Sequence, residues 1–179
     1  MTKSTSTAED FLDVTARRFR EQKSLAERAV GQLPDAQLHA VLDEHTNSIA
    51  VIMKHIAGNL TSRWTDFLTT DGEKDWRNRD TEFEDDFRSR EELMSKWEEG
   101  WSCLHAAIQA LTPADLTRIV TIRGHEHSVI DAIIRALDHN AYHVGQIVIL
   151  ARHFAGDQWE TLTVPPGESE QYNRRTWKK

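Results

Sequence analysis

Cysteine is almost missing from the 179-residue chain, with Cys103 standing alone. A single cysteine excludes an intramolecular disulfide framework and every multi-cysteine zinc or iron–sulfur site. Reducing conditions, hence the cytoplasm, are the expected setting. Positive charge is also short. The 22 Lys+Arg fall below the 29 Asp+Glu, for a net charge of -7, so the chain lacks the electrostatic footprint of a general nucleic-acid binder. Long apolar runs are missing too. Ile147 to Ala151 is far short of a membrane span, and Met1 to Thr7 is polar, with no apolar core of a secretory signal. No glycine-rich phosphate loop and no Gly-x-Ser-x-Gly elbow occurs, and Glu-x-x-His is nowhere in the chain, against a di-iron carboxylate site.

What is present is an ordinary globular composition, 39% hydrophobic and 28% charged. The length predicts one domain over residues 1–179, with a core of about 8–155 and a tail of 156–179. The patterning predicts an all-α fold of four long helices. The first starts near Thr7, where Thr7 and Asp10 have capping-box spacing, and ends at Gly31. Asp35 to Thr46 is ambiguous. The second runs from an Asn47 cap to Leu68 on the apolar series Ile49, Val51, Ile52, Met53, Ile56 and Leu60. The third opens on a Ser89/Glu92 box and carries Leu93, Trp97, Trp101, Leu104 and Ile108. Thr117 to Arg123 alternates like a strand and predicts a small hairpin at Gly124. The fourth helix opens on a Ser128/Asp131 box and stops at Gly156. The tail holds Pro165-Pro166-Gly167 and no periodicity, which predicts an extended surface segment.

Two stretches bear on chemistry. One face of the fourth helix places His139, His143 and Gln146 among Ala132, Ala136, Ile147 and Leu150. A buried polar group without a partner costs roughly 1–3 kcal/mol, so three of them in an apolar stripe need a reason. Imidazoles at i and i+4 lie about 6 Å apart at Cβ, the spacing by which one helix offers two nitrogens to one metal ion. The same spacing suits two core histidines satisfied by hydrogen bonds. His55 repeats the oddity on the second helix, sharing a face with Val51, Ile52 and Asn59. If the two faces meet, the result is a three-nitrogen site with open positions, the catalytic rather than the structural type. Asn140 stands where a zincin motif needs its glutamate, and Trp76 stands where a calcium loop needs glycine. His125 and His127 read as turn residues at a helix entry. The charged connection Thr69–Arg88 carries Trp76, Phe83 and Phe87. Connections of this length are often functional. The expectation is that it folds back and sets Trp76 near the mouth of the histidine site, the alternative being that it packs on the far end of the helices.

The segments Met53-Lys54-His55-Ile56-Ala57-Gly58-Asn59 and Asp138-His139-Asn140-Ala141-Tyr142-His143-Val144-Gly145-Gln146-Ile147 resemble the DinB-like superfamily of metal-binding four-helix bundles. The His-x-x-x-His-x-Gly-Gln run is its most recognisable signature, and Ser62 to Lys74 looks like one uncharacterised subfamily. The resemblance spans roughly residues 8–175. It implies a four-helix bundle with a long connection between helices 2 and 3, and one divalent ion, commonly zinc or nickel, on His55, His139 and His143. Asn59, Gln146 and Trp76 would orient ligands or substrate around it. It further implies a metal-dependent transferase using a low-molecular-weight thiol, or a hydrolase, acting on a small molecule. The alternative is a non-catalytic, stress-associated metal-binding dimer, and a homodimer is the expected assembly on either reading. Neither nucleic acid nor membrane is an expected partner.

Overall fold

The computed structural model describes residues 6–177. The polar start as far as residue 5, and residues 178 and 179 of the tail, lie outside the described residues. The fold is mostly helical, with a single two-stranded hairpin among the described residues. Its elements are α1 (Thr7–Val30), α2 (Asp35–Leu38), α3 (Ile49–Trp64), α4 (Arg90–Ala110), β1 (Ile119–Ile122), β2 (His125–Ser128), α5 (Val129–Ala155) and α6 (Ser169–Thr176).

Several helix ends differ from the sequence reading by a residue or a role. The α1 cap is Ser6, not Thr7. Ser6 Oγ accepts from the Glu9 N–H, and Glu9 reaches back to the Ser6 N–H at 2.8 Å. With Ser6 as the cap, Glu9 stands at the third helical position, from which a side chain reaches back to the cap, and Asp10 falls one residue beyond it. Ser48, not Asn47, caps α3, and its hydroxyl accepts from the Val51 N–H. The helix ends at Trp64 rather than Leu68, because Thr65 turns extended and Asp66 takes a positive φ of 49°. Ser89 and Ser128 cap α4 and α5 as expected, but neither forms a reciprocal box. Glu92 accepts from the Arg88 N–H at 2.9 Å, and Asp131 turns to His127. The ambiguous stretch after Pro34 holds the short α2. In the tail, Ser169–Thr176 is helical rather than extended. None of its residues is buried, so it carries no apolar stripe for periodicity to detect. The start of the tail is fixed to the turn after α1, where Gln32 exchanges hydrogen bonds with the Glu160 backbone at 2.8 and 3.0 Å.

The four long helices share one apolar core. Helix α3 packs most extensively on α4, and α1 on α5, while smaller contacts join α3 to α5 and α1 to α4. Phe19, Ile56, Leu60, Trp97, Trp101, Ile133 and Ile147 are completely buried between them. Gly100 sets the α3–α4 distance, since a Cβ there would stand 2.7 Å from Ala57 Cα and from its carbonyl oxygen.

The hairpin forms where expected. Its two central residues, Arg123 and Gly124, have φ of 56° and 73°, the positive values of a type I′ turn that matches strand twist. A left-handed non-glycine residue costs roughly 1–2 kcal/mol, and here the cost is offset from outside the hairpin. The Asp71 carboxylate accepts the N–H groups of Arg123 at 2.8 Å and Gly124 at 2.7 Å, and Gly72 N–H donates to the Thr121 carbonyl. The start of the 69–88 connection is thereby pinned to the hairpin. The remainder runs back along α3 and ends in a 3₁₀ turn, Asp80–Phe83, that lies on that helix.

Candidate metal centre

His55 comes from the middle of α3, and His139 and His143 come from successive turns of α5. The α3–α5 contact brings one ring nitrogen of each within 4.8 Å of the others, and this is the one such group of potential ligands among the described residues. His55 Nε2 and His139 Nε2 are 3.2 Å apart. Two nitrogens each about 2.0–2.1 Å from a tetrahedral ion stand about 3.3 Å apart, so the pair already has the spacing that a shared ion requires.

The other nitrogens of two of the rings are spoken for. His55 Nδ1 lies 2.9 Å from Glu82 Oε2, and His143 Nδ1 lies 2.7 Å from Gln146 Oε1. A carboxylate or amide oxygen accepts only from N–H, so both rings carry a proton at Nδ1, which makes Nε2 the atom each ring can offer to a metal. That is the usual way an outer carboxylate or carbonyl fixes the tautomer of a metal-bound imidazole. His139 Nδ1 is buried with no partner. Burial first, then the neighbouring His143 and His55 rings, push the His139 pKa down to about 4. Burial likewise lowers His143. Burial thus favours the neutral ligand form of His139 and His143, and the three-imidazole donor set fits a borderline-soft divalent ion.

Glu82 is itself built in from two sides. It is 5% exposed, and Arg77 clamps it with Nε on Oε1 at 2.7 Å and Nη2 on Oε2 at 3.0 Å. Burial would raise its carboxyl, but the bonds from His55 and Arg77 outweigh burial and hold it below its ordinary value. The backbone of α3 admits it only because residue 58 is glycine, where a Cβ would lie 2.5 Å from Glu82 Oε1. Phe83, next in the 3₁₀ turn, stacks on the His55 ring at 5.1 Å between centroids. Lys54, one residue before His55, holds the same segment by donating to the Thr81 and Glu84 carbonyls.

The connection thus folds back on the site, but with different residues from those expected. Glu82 and Phe83 meet the histidines, whereas Trp76 is 58% exposed and lines no part of the adjoining cavity. That cavity, of about 480 Å³, has Asn59 and His139 in its wall, with Trp64 and Ile122 as apolar surface. Gln146 serves His143 directly. Asn140 is fully buried and does not line the cavity, and His127 is turned to Asp131. Cys103 lies on α4 against Thr61 and Thr65, so it is no part of the histidine cluster. Nothing in the spacing of residues 80–86 singles out Glu82 from its acidic neighbours. The one available signal was the pairing of a long connection with an interior histidine that needs a proton acceptor.

Residues 6–168 match the family described as a protein of unknown function, DUF1572. No curated protein matches the chain.

Proposed function

Taking as premise that this chain belongs to the DUF1572 family, within the DinB/YfiT-like superfamily, we propose that it is a metal-dependent protein acting on a small molecule. In this reading its long helices form a DinB-like four-helix bundle, and His55, His139 and His143 hold one divalent ion, zinc or nickel, through Nε2. The observation that carries the reading is the complementary wiring of the rings. Glu82 and Gln146 each occupy a Nδ1–H, His55 Nε2 and His139 Nε2 stand 3.2 Å apart, and one nitrogen of each of the three rings lies within 4.8 Å of the others. Three protein ligands leave positions for exchangeable groups, the arrangement of catalytic rather than structural sites.

An ion in such a site supplies a Lewis acid that activates a coordinated nucleophile near neutral pH. The protein's own residues divide the remaining work. Glu82 and Arg77 orient His55, Gln146 orients His143, Phe83 covers the His55 ring, and the cavity beside His139 receives the substrate. Glu82 is fully engaged by Arg77 and His55 and is not free to move a proton. The nucleophile is then best supplied from outside the chain, either water for a hydrolase or a low-molecular-weight thiol for a transferase. The same engagement of Glu82 favours the alternative of a non-catalytic metal protein, and the open cavity at His139 weighs against it.

Metal analysis of untagged protein tests the proposal. Close to one divalent ion per chain is expected, with a sharp fall in the His143→Ala variant. Full occupancy in that variant would overturn the assignment.

A further inference from the structure

The cavity beside His139 has a charge opposite to that of the molecule. Four arginines line it, Arg63, Arg79, Arg123 and Arg135, against two aspartates, Asp131 and Asp138. Four minus two leaves an excess of two positive charges, in a chain whose net charge is -7.

The counter-charges nearby are too few for these cations. Glu73 alone serves three guanidinium groups, at 3.3 Å from Arg63, 3.5 Å from Arg77 and 2.9 Å from Arg123. Glu82 is committed to Arg77 and His55. Arg79 and Arg135 have no ion pair within 4 Å among the described residues. Arg63 is the most telling of the set. Its side chain is 12% exposed, and its Nη1 is buried with no acceptor. Burial, and next to it the positive charge of Arg77, Arg123 and Arg135 working against Glu73, bring its pKa down to about 10, so it stays charged at neutral pH. A nearly buried cation with one long, shared ion pair is incompletely compensated, and an arriving anion removes that deficit.

We propose that this cavity binds a small organic carboxylate, its head held by Arg63 and Arg135 and its apolar body against Trp64 and Ile122. A guanidinium fork matches a planar carboxylate in two parallel hydrogen bonds. Glu73, paired with Arg63 and Arg123, takes up one of the two excess charges, and the single charge that remains suits a monoanion better than a phosphate dianion. The volume of about 480 Å³ is that of a small-ligand site. The inference rests on the proposed metal reading for the reaction that would follow, since the cavity reaches His139, but not for binding itself.

Titration calorimetry on the full chain tests it with benzoate, benzamide and phenyl phosphate as probes. Benzoate is expected to bind, and uncharged benzamide to bind about tenfold more weakly or worse. Arg63→Gln is expected to cost benzoate about tenfold or more, and Arg135→Gln, at an exposed position that does not threaten folding, to weaken it several-fold. His143→Ala should leave benzoate binding unchanged, which separates this inference from the metal assignment. Equal binding of benzamide and benzoate, unchanged affinity in Arg135→Gln, tighter binding of phenyl phosphate than of benzoate, or loss of benzoate in His143→Ala would each overturn the proposal.

Discussion

At the residue scale the decisive side chain is Glu82. A carboxylate that accepts from the far nitrogen of a ligand imidazole raises the basicity of that ligand, and removing such a partner typically costs about 10–100-fold in metal affinity. Glu82→Gln keeps the volume and an acceptor oxygen but loses the charge. Chelator competition on the folded variant should show zinc held about 10–100-fold more weakly than by the natural protein. Equal affinity would mean that Glu82 merely neutralises Arg77. Sequence reading finds His139, His143 and His55 because helical periodicity places polar groups where apolar ones belong. It cannot find Glu82, which stands in a charged stretch with Asp80, Glu84, Asp85 and Asp86 and has no period to violate. Only the fold shows which of these acids lies over Gly58.

At the element scale the β1–β2 hairpin depends on an acceptor outside itself. Burial would raise the Asp71 carboxyl, but the N–H groups of Glu73, Gly124 and Arg123 bring its pKa down to about 2. A carboxyl lowered on folding contributes stability that is fully present above its ordinary value of about 3.8. That contribution is lost as pH falls through about 2. Asp71→Ala should therefore be less stable than the natural protein at pH 7, and the gap in denaturation midpoint should close as pH falls from 4 toward 2. A gap independent of pH in that range would show that the carboxylate charge is not what holds the turn. The hairpin itself was legible from alternation ending at Gly124, but its clamp lies 52 residues back in the chain and leaves no local signature. The same limit explains the tail. Helix α6 has neither a side-chain cap nor a buried face, so neither signal of a helix start nor apolar periodicity marks it.

At the scale of the whole molecule, the α3–α5 contact is less extensive than the α3–α4 and α1–α5 contacts, and it is the one that the histidines span. A ligand that binds only the folded state adds about 2.7 kcal/mol of stability at one hundred times its Kd. For a chain of this size each kcal/mol is worth about 2–4 °C in Tm. Zinc in such excess should raise Tm by about 5–10 °C in the natural protein and leave His143→Ala unmoved. An equal rise in both would place the ion elsewhere.

The two links made by His55 also differ in reach along the chain. Its partner Glu82 is 27 residues away, and His139 is 84 residues away. Closing the longer loop costs about 1 kcal/mol more in chain entropy, and every residue of the shorter one is synthesised before α5 begins. His55 can thus find its proton acceptor in the nascent chain, while the converging nitrogens wait for the last long helix to dock. The site is complete only when the fold is, so the proposed ion would find its three ligands together only on the finished protein.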